Sequence, residues 1–205
     1  MDYLYCLLLR QQHTSYCVVR PYHVMVFSWN CIVSCHKSCY VLLYLCLLLY
    51  IAVGSTMCSL ASGITLSYWS GWECSGSTPT VSYCSWTGVT CSGVEVTELY
   101  LSYEYISGTI ATQIGDLTSM TYLDLFYNYL TGTIPTSIGY LSSLYYLSVS
   151  YNSLSGQVPT SLCAATHLSY LDIRNNKFSS CYPTCLSSVT FVYSDICRCD
   201  IESKC

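Results

Sequence analysis

Read in steps of 24 residues, the second half of this chain falls into columns. Leu99, Leu123, Leu147 and Leu171 hold one column, and Leu101, Leu125, Val149 and Ile173 hold a second. Asn128, Asn152 and Asn176 form a third, with Glu104 in the first copy. Gly108, Gly132 and Gly156 align, with Ser180 in the fourth copy. Pro135, Pro159 and Pro183 align, with Ala111 in the first. No insertion breaks this register over four copies. A unit of this size cannot bury its apolar face alone, so successive copies must stack on one another.

The head of each copy follows L-x-x-L-x-L-x-x-N, the signature of a leucine-rich repeat. The pattern predicts an α/β-type solenoid dominated by short parallel strands. Its repeats form a right-handed arc over residues 94–186, with strands centred near Leu99, Leu123, Leu147 and Leu171. The leucines point inward and their neighbours outward. The column Asn can satisfy turn backbone with both its amide donor and its acceptor. Glu104 cannot donate when ionised, so the first turn must be bonded differently. Gly132 and Gly156 suit positive φ or close backbone approach, and the prolines suit extended backbone on the convex side. Ser137 to Leu141 allows a short helical turn. Packing accounts for all of these columns, and none of them is assigned to function.

Upstream, Val41 to Val53 is apolar and uncharged, with His36 and Lys37 just before it. Its length fits the core of a secretory signal, and Ala52-Val53-Gly54 permits cleavage after Gly54. Extended over residues 39–60, the same stretch is long enough for a signal anchor. A plain buried helix is the third reading. Residues 1–54 thus form a leader, residues 55–93 an N-terminal cap, and residues 187–205 a Cys-rich C-terminal cap or tail. Residues 1–40 are long for a signal's basic region and carry five cysteines, and a start at Met25 would shorten them.

Sixteen cysteines in 205 residues point to an oxidising compartment or to metal. Beyond residue 54 the chain holds ten acidic side chains against four basic ones, a formal net charge of −6. That balance gives no footprint for nucleic acid. A secreted or cell-surface location follows from the leader.

A solenoid must cover its first and last coils. Trp69, Trp72 and Trp86 supply bulk for the first, and Ile64, Thr65, Leu66 and Trp69 suit a short amphipathic helix. The phrase Cys84-Ser85-Trp86-Thr87-Gly88-Val89-Thr90-Cys91 resembles the C-x-W-x-G-V-x-C cap that precedes plant-type extracellular leucine-rich repeats. The resemblance covers about residues 64–186 and loosens at Glu104, Ala111, Ser180 and Tyr182. It implies a Cys84–Cys91 disulfide, caps stapled by disulfides, and a ligand-binding ectodomain or an enzyme-inhibitor protein. Cys58 and Cys74 either pair with each other or leave Cys58 to the leader. Cys181, Cys185, Cys197, Cys199 and Cys205 suit a disulfide-stapled end of open connectivity, with Cys163 an odd candidate. Their spacing is not a standard zinc pattern. Thr190 to Tyr193 could add a last strand.

The residues facing outward carry the functional expectation. One column reads Glu98, Tyr122, Tyr146, Tyr170, and a second Tyr100, Asp124, Ser148, Asp172. A third reads Ser102, Phe126, Ser150, Arg174, and a fourth Tyr103, Tyr127, Tyr151, Asn175. Tyrosine offers a large contact area with a polar tip and is enriched in binding hot spots. The expected binding set is Tyr100, Tyr103, Tyr122, Asp124, Phe126, Tyr127, Tyr146, Tyr151, Tyr170, Asp172 and Arg174. Stacking between coils is the competing explanation. No catalytic motif, kinase signature, cofactor motif or N-glycosylation sequon occurs. His167 is the one histidine after the leader and reads as a surface residue. The expected function is recognition of an extracellular protein, peptide or glycan without cofactor or metal. A structural or adhesive surface protein, or a fragment of a larger receptor, is the alternative.

Overall fold

The computed structural model describes residues 14–19, 23–28, 38–65, 72–179 and 181–199. Leu66, Trp69, Ser180 and Cys205 lie outside the described residues, and with them the readings placed there. The chain divides into two compact units, Met1–Leu49 and Tyr50–Cys205. In the first, Thr14–Val19 and His23–Ser28 pair as an antiparallel hairpin. The helix Ser38–Gly63 follows.

The second unit is the leucine-rich repeat arc. Glu95–Tyr100, Tyr122–Asp124, Tyr146–Ser148, Tyr170–Asp172 and Phe191–Tyr193 form one parallel sheet. Its register sets Leu99 beside Leu123, Leu123 beside Leu147, Leu147 beside Leu171 and Leu171 beside Val192. The 24-residue period is thus one coil. Leu99, Leu123, Leu147 and Leu171 are all buried to 1% exposure or less. Burying one such side chain contributes about 1.5–3 kcal/mol, and this inward row gives the sheet its single register. On the opposite side of each coil lies a short 3-10 turn: Thr112–Asp116, Thr136–Tyr140, Thr160–Ala164 and Thr184–Ser188. The aligned Pro135 and Pro159 enter these turns in extended backbone, at φ −68° and −71°.

The asparagine column joins coil to coil. Asn128 Nδ2 donates to the Leu101 and Leu125 carbonyls at 2.7 and 3.1 Å. Its Oδ1 accepts from the Ile106 and Glu104 N–H groups at 2.9 and 3.1 Å. Asn152 repeats the pattern on Leu125, Val149 and Leu130, and Asn176 on Val149 and Leu154. The first turn has Glu104 at this position, and there it is the backbone N–H of Glu104 that bonds to Asn128.

Two caps close the ends. Within the second unit, Val53, Met57 and Leu60 of the helix are buried with Trp72, Tyr83 and Trp86 in the same core as the first coil. Cys58–Cys74 and Cys84–Cys91 disulfides fasten this layer. Tyr83 donates its hydroxyl to the Val94 carbonyl, and Trp72 its indole N–H to the Thr87 carbonyl. The strand Val89–Ser92 pairs antiparallel with Glu95–Tyr100 and covers the sheet's first edge. Ile64 and Thr65 are not helical. They form a strand antiparallel to Ser107–Thr109, because two β-branched residues after Gly63 favour extended backbone beside an open strand edge. That docking brings Gly63 against Gly108, where a Cβ would stand 2.3 Å from the Gly63 carbonyl oxygen. At the other end Phe191–Tyr193 adds the fifth parallel strand. Cys163–Cys185 and Cys181–Cys199 disulfides hold it there, and Cys197 is disulfide-bonded as well.

Candidate functional site

The parallel register turns the tyrosine column into a physical stack. Tyr122 and Tyr146 lie ring on ring at 4.1 Å and 6°, and Tyr146 and Tyr170 at 4.4 Å and 9°. Tyr100 extends the row at 4.6 Å from Tyr122, and Tyr193 at 5.3 Å from Tyr170. Five rings therefore cross all five parallel strands. The middle three are half-buried, whereas Tyr100 and Tyr193 at the ends are exposed. Burial pushes the Tyr146 hydroxyl well above the usual phenol range, and its hydrogen bond with Tyr122 adds to this. Burial likewise raises Tyr100, Tyr122 and Tyr170.

Tyr103, Tyr127, Tyr151 and Asn175 are not on the strands. They occupy the turns that follow, with φ of 61°, 53°, 56° and 52°. The strands end three residues earlier, at Tyr100, Asp124, Ser148 and Asp172, because the chain must reverse toward the buried asparagine. Left-handed backbone at a non-glycine residue is strained. The turns nevertheless hold Tyr103 and Tyr127 at 4.9 Å and Tyr127 and Tyr151 at 6.0 Å. Phe126 packs edge-on against Tyr103 at 5.0 Å and Tyr151 at 5.3 Å. A further pair joins this edge, Tyr105 and Tyr129 at 6.3 Å, both more than half exposed. With Tyr127, Tyr151 and Asn175 they line a concavity of about 270 Å³. Sequence reasoning missed Tyr105 and Tyr129, although the 24-residue step that aligns the leucines also aligns them. It equally missed Tyr193 as the end of the ring row.

The polar outward residues are less open than their alternation suggests. Ser148, Ser150 and Asp172 are buried at 2%, 0% and 3% exposure. Asp172 is fully engaged. Arg174 donates Nε to its Oδ1 at 3.0 Å and a terminal nitrogen to its Oδ2 at 2.8 Å. The guanidinium carbon sits 4.8 Å over the Tyr193 ring. Asp124 holds the matching position two coils earlier, accepts from the Phe126 N–H at 3.0 Å and bonds to Ser102. It makes no ion pair among the described residues. Burial raises its pKa above the ordinary carboxylate value.

No group of side chains suited to a metal ion occurs among the described residues. His167 is exposed and bonds through Nδ1 to the Ser142 carbonyl oxygen. The face offers aromatic area, phenol hydroxyls and carboxylates, which together suit contact more than bond-making.

The family model described as Leucine Rich Repeat matches residues 119–141, 143–165 and 167–189. No curated protein sequence matches the chain. Among solved structures, the crystal structure of PEPR1–AtPEP1 is similar at 27% identity and a TM-score of 0.63, over 70% of this chain and 21% of that one. The BIR3–SERK2 complex from Arabidopsis thaliana is similar at 28% identity and a TM-score of 0.58, over 68% of this chain and 81% of that one. A plant ice-binding protein is similar at 25% identity and a TM-score of 0.53, over 73% of this chain and 47% of that one. The chain thus spans about a fifth of the first of these proteins and about four fifths of the second.

Proposed function

We propose that this chain is a recognition module of the cell exterior or cell surface. It binds an extracellular protein or peptide, or a glycan, through the strand face and the aromatic turn edge of its solenoid. The observation that carries the reading is the aromatic surface: a five-ring row across the sheet, flanked by Tyr103 and by Tyr105, Tyr127, Tyr129 and Tyr151, the last four lining a concavity. The exposed turn-edge rings serve no core, and rigid aromatic side chains lose little entropy on contact. Similarity to PEPR1–AtPEP1 and to the BIR3–SERK2 complex supports a peptide or protein as partner. Likeness to an ice-binding protein shows that the same scaffold serves unlike ligands, so the surface must decide.

Disulfides at both caps fit an oxidising compartment. The stretch Tyr44–Gly63 is long and apolar enough to cross a membrane. Within the second unit its later residues, Val53, Met57 and Leu60, cap the core. A cap that remains in the mature protein is the role we assign to them, and membrane attachment through residues 39–60 would compete with it.

The structural reading finds support in the tight middle of the row, since rings at 4.1 and 4.4 Å stabilise the sheet by themselves. A panel of extracellular proteins, peptides and wall polysaccharides, screened against the chain and its Tyr127→Ala/Tyr129→Ala variant, separates the two readings. Both rings are exposed, so this variant should melt within about 1 kcal/mol of the parent. Binding that is lost at near-normal melting supports recognition. Binding that persists, or a panel with no binder, favours the structural role.

A further inference from the structure

Across the sheet the second outward column reads Tyr100, Asp124, Ser148, Asp172, Tyr193, each residue in register with the next. The column is a palindrome about Ser148, with a carboxylate beside a tyrosine at each end. One end is filled. Arg174 lies between the Asp172 carboxylate and the Tyr193 ring, bound through two nitrogens and stacked at 4.8 Å. The other end has the same acid and the same flanking ring, but Phe126 stands where the arginine would be. Tyr100 leans on Tyr122 much as Tyr193 leans on Tyr170, and Tyr100 is exposed.

We propose that the Asp124–Tyr100 end of this column takes the guanidinium of an arginine side chain from a bound extracellular peptide. The protein's own Arg174 shows the mode of binding. A planar guanidinium can donate two parallel hydrogen bonds to a carboxylate while its face rests on an aromatic ring. The charge balance agrees, for the strand face carries Glu98, Asp124 and Asp172 against Arg174 alone. Phe126, held edge-on by Tyr103 and Tyr151, supplies an apolar wall for the arginine stem. Asp124 is half-buried and without an ion pair among the described residues, so an incoming cation removes an electrostatic cost that the folded chain already carries.

This inference rests on the recognition reading and can fail separately from it. A random peptide library displayed on phage is selected on the full chain, then on Asp124→Asn and Phe126→Arg. Asp124→Asn keeps an oxygen for the Phe126 N–H. Phe126→Arg supplies the missing arginine from within, as Arg174 does. Circular dichroism first establishes that both variants keep the parent's spectrum. The expected result is enrichment of arginine at one fixed position in the selected peptides. Replacing that arginine by citrulline, its neutral isostere, then weakens binding about tenfold or more, and both variants weaken the arginine peptide by a similar factor. Peptides selected without arginine, or bound equally with citrulline, overturn the inference and leave the recognition reading standing. A library that yields no binder overturns both.

Discussion

Replacing Asn128 by alanine tests the coil-to-coil bonding most severely. Asn128 is buried at 7% exposure and its amide serves five backbone groups: the Leu101, Leu125 and Phe126 carbonyls and the Glu104 and Ile106 N–H groups. A buried polar group left unpaired costs about 1–3 kcal/mol, and relaxation or water recovers part of the sum. Asn128→Ala is therefore expected to cost ~4 kcal/mol, and Asn152→Ala about 3 kcal/mol, because the bonds of Asn152 are all only part-buried. For a domain of this size ~4 kcal/mol corresponds to a melting temperature lower by roughly 8–16 °C. Asn128→Asp separates donor from acceptor. It keeps an oxygen for Glu104 and Ile106 but turns a second oxygen toward three carbonyls, so it should not rescue. Urea unfolding followed by circular dichroism measures all three. An Asn128→Ala protein within about 0.5 kcal/mol of the parent would show that these turn groups are satisfied in some other way.

Three further outcomes follow from the same geometry. Leu147→Ala, at a position with 0% exposure, should destabilise by about 2–5 kcal/mol in the same urea assay. Gly108→Ala should be costly too, since its φ is +106° and the new Cβ would meet the Gly63 carbonyl oxygen at 2.3 Å. Loss of the Ile64–Thr65 pairing would appear as faster amide exchange over Ser107–Thr109. The Asp124 carboxyl has its folded pKa raised above 3.8 by burial, so the folded state binds that proton more tightly than the unfolded chain does. Its contribution to stability thus falls as pH rises through the interval just above 3.8, and is constant beyond the folded value. Asp124→Asn should remove this slope and be the more stable protein at neutral pH, read from unfolding free energies across pH 3–7.

The fold was legible because one constraint repeats. A leucine every 24 residues needs the same inward position in each coil, and the columns at Leu99 and Leu123 announce parallel strands before any coordinate does. The resemblance around Cys84 and Cys91 also named a disulfide that the structure contains. Other features depend on geometry that periodicity does not encode. Tyr103, Tyr127 and Tyr151 share a column with regular spacing, yet the reversal toward Asn128 and Asn152 puts them in left-handed turns. Asp124 and Asp172 are the same residue at the same register. Only the side chain two positions later, Phe126 or Arg174, decides which of them is paired. Ile64 and Thr65 read as helical from their apolar spacing, but an open strand edge at Ser107–Thr109 claims them. The Cys163–Cys185 pairing joins adjacent coils on their convex turns, which no linear spacing specifies.

The central claim is that the strand face and its turn edge form the binding surface. Hydrogen–deuterium exchange of the chain with and without its selected peptide tests this most directly. The account predicts slowed exchange over residues 98–105, 122–129, 146–151 and 170–175. The convex turns at Thr112–Asp116, Thr136–Tyr140 and Thr160–Ala164 should not change. Protection confined to those turns or to the caps, with the strand face unaffected, would contradict it.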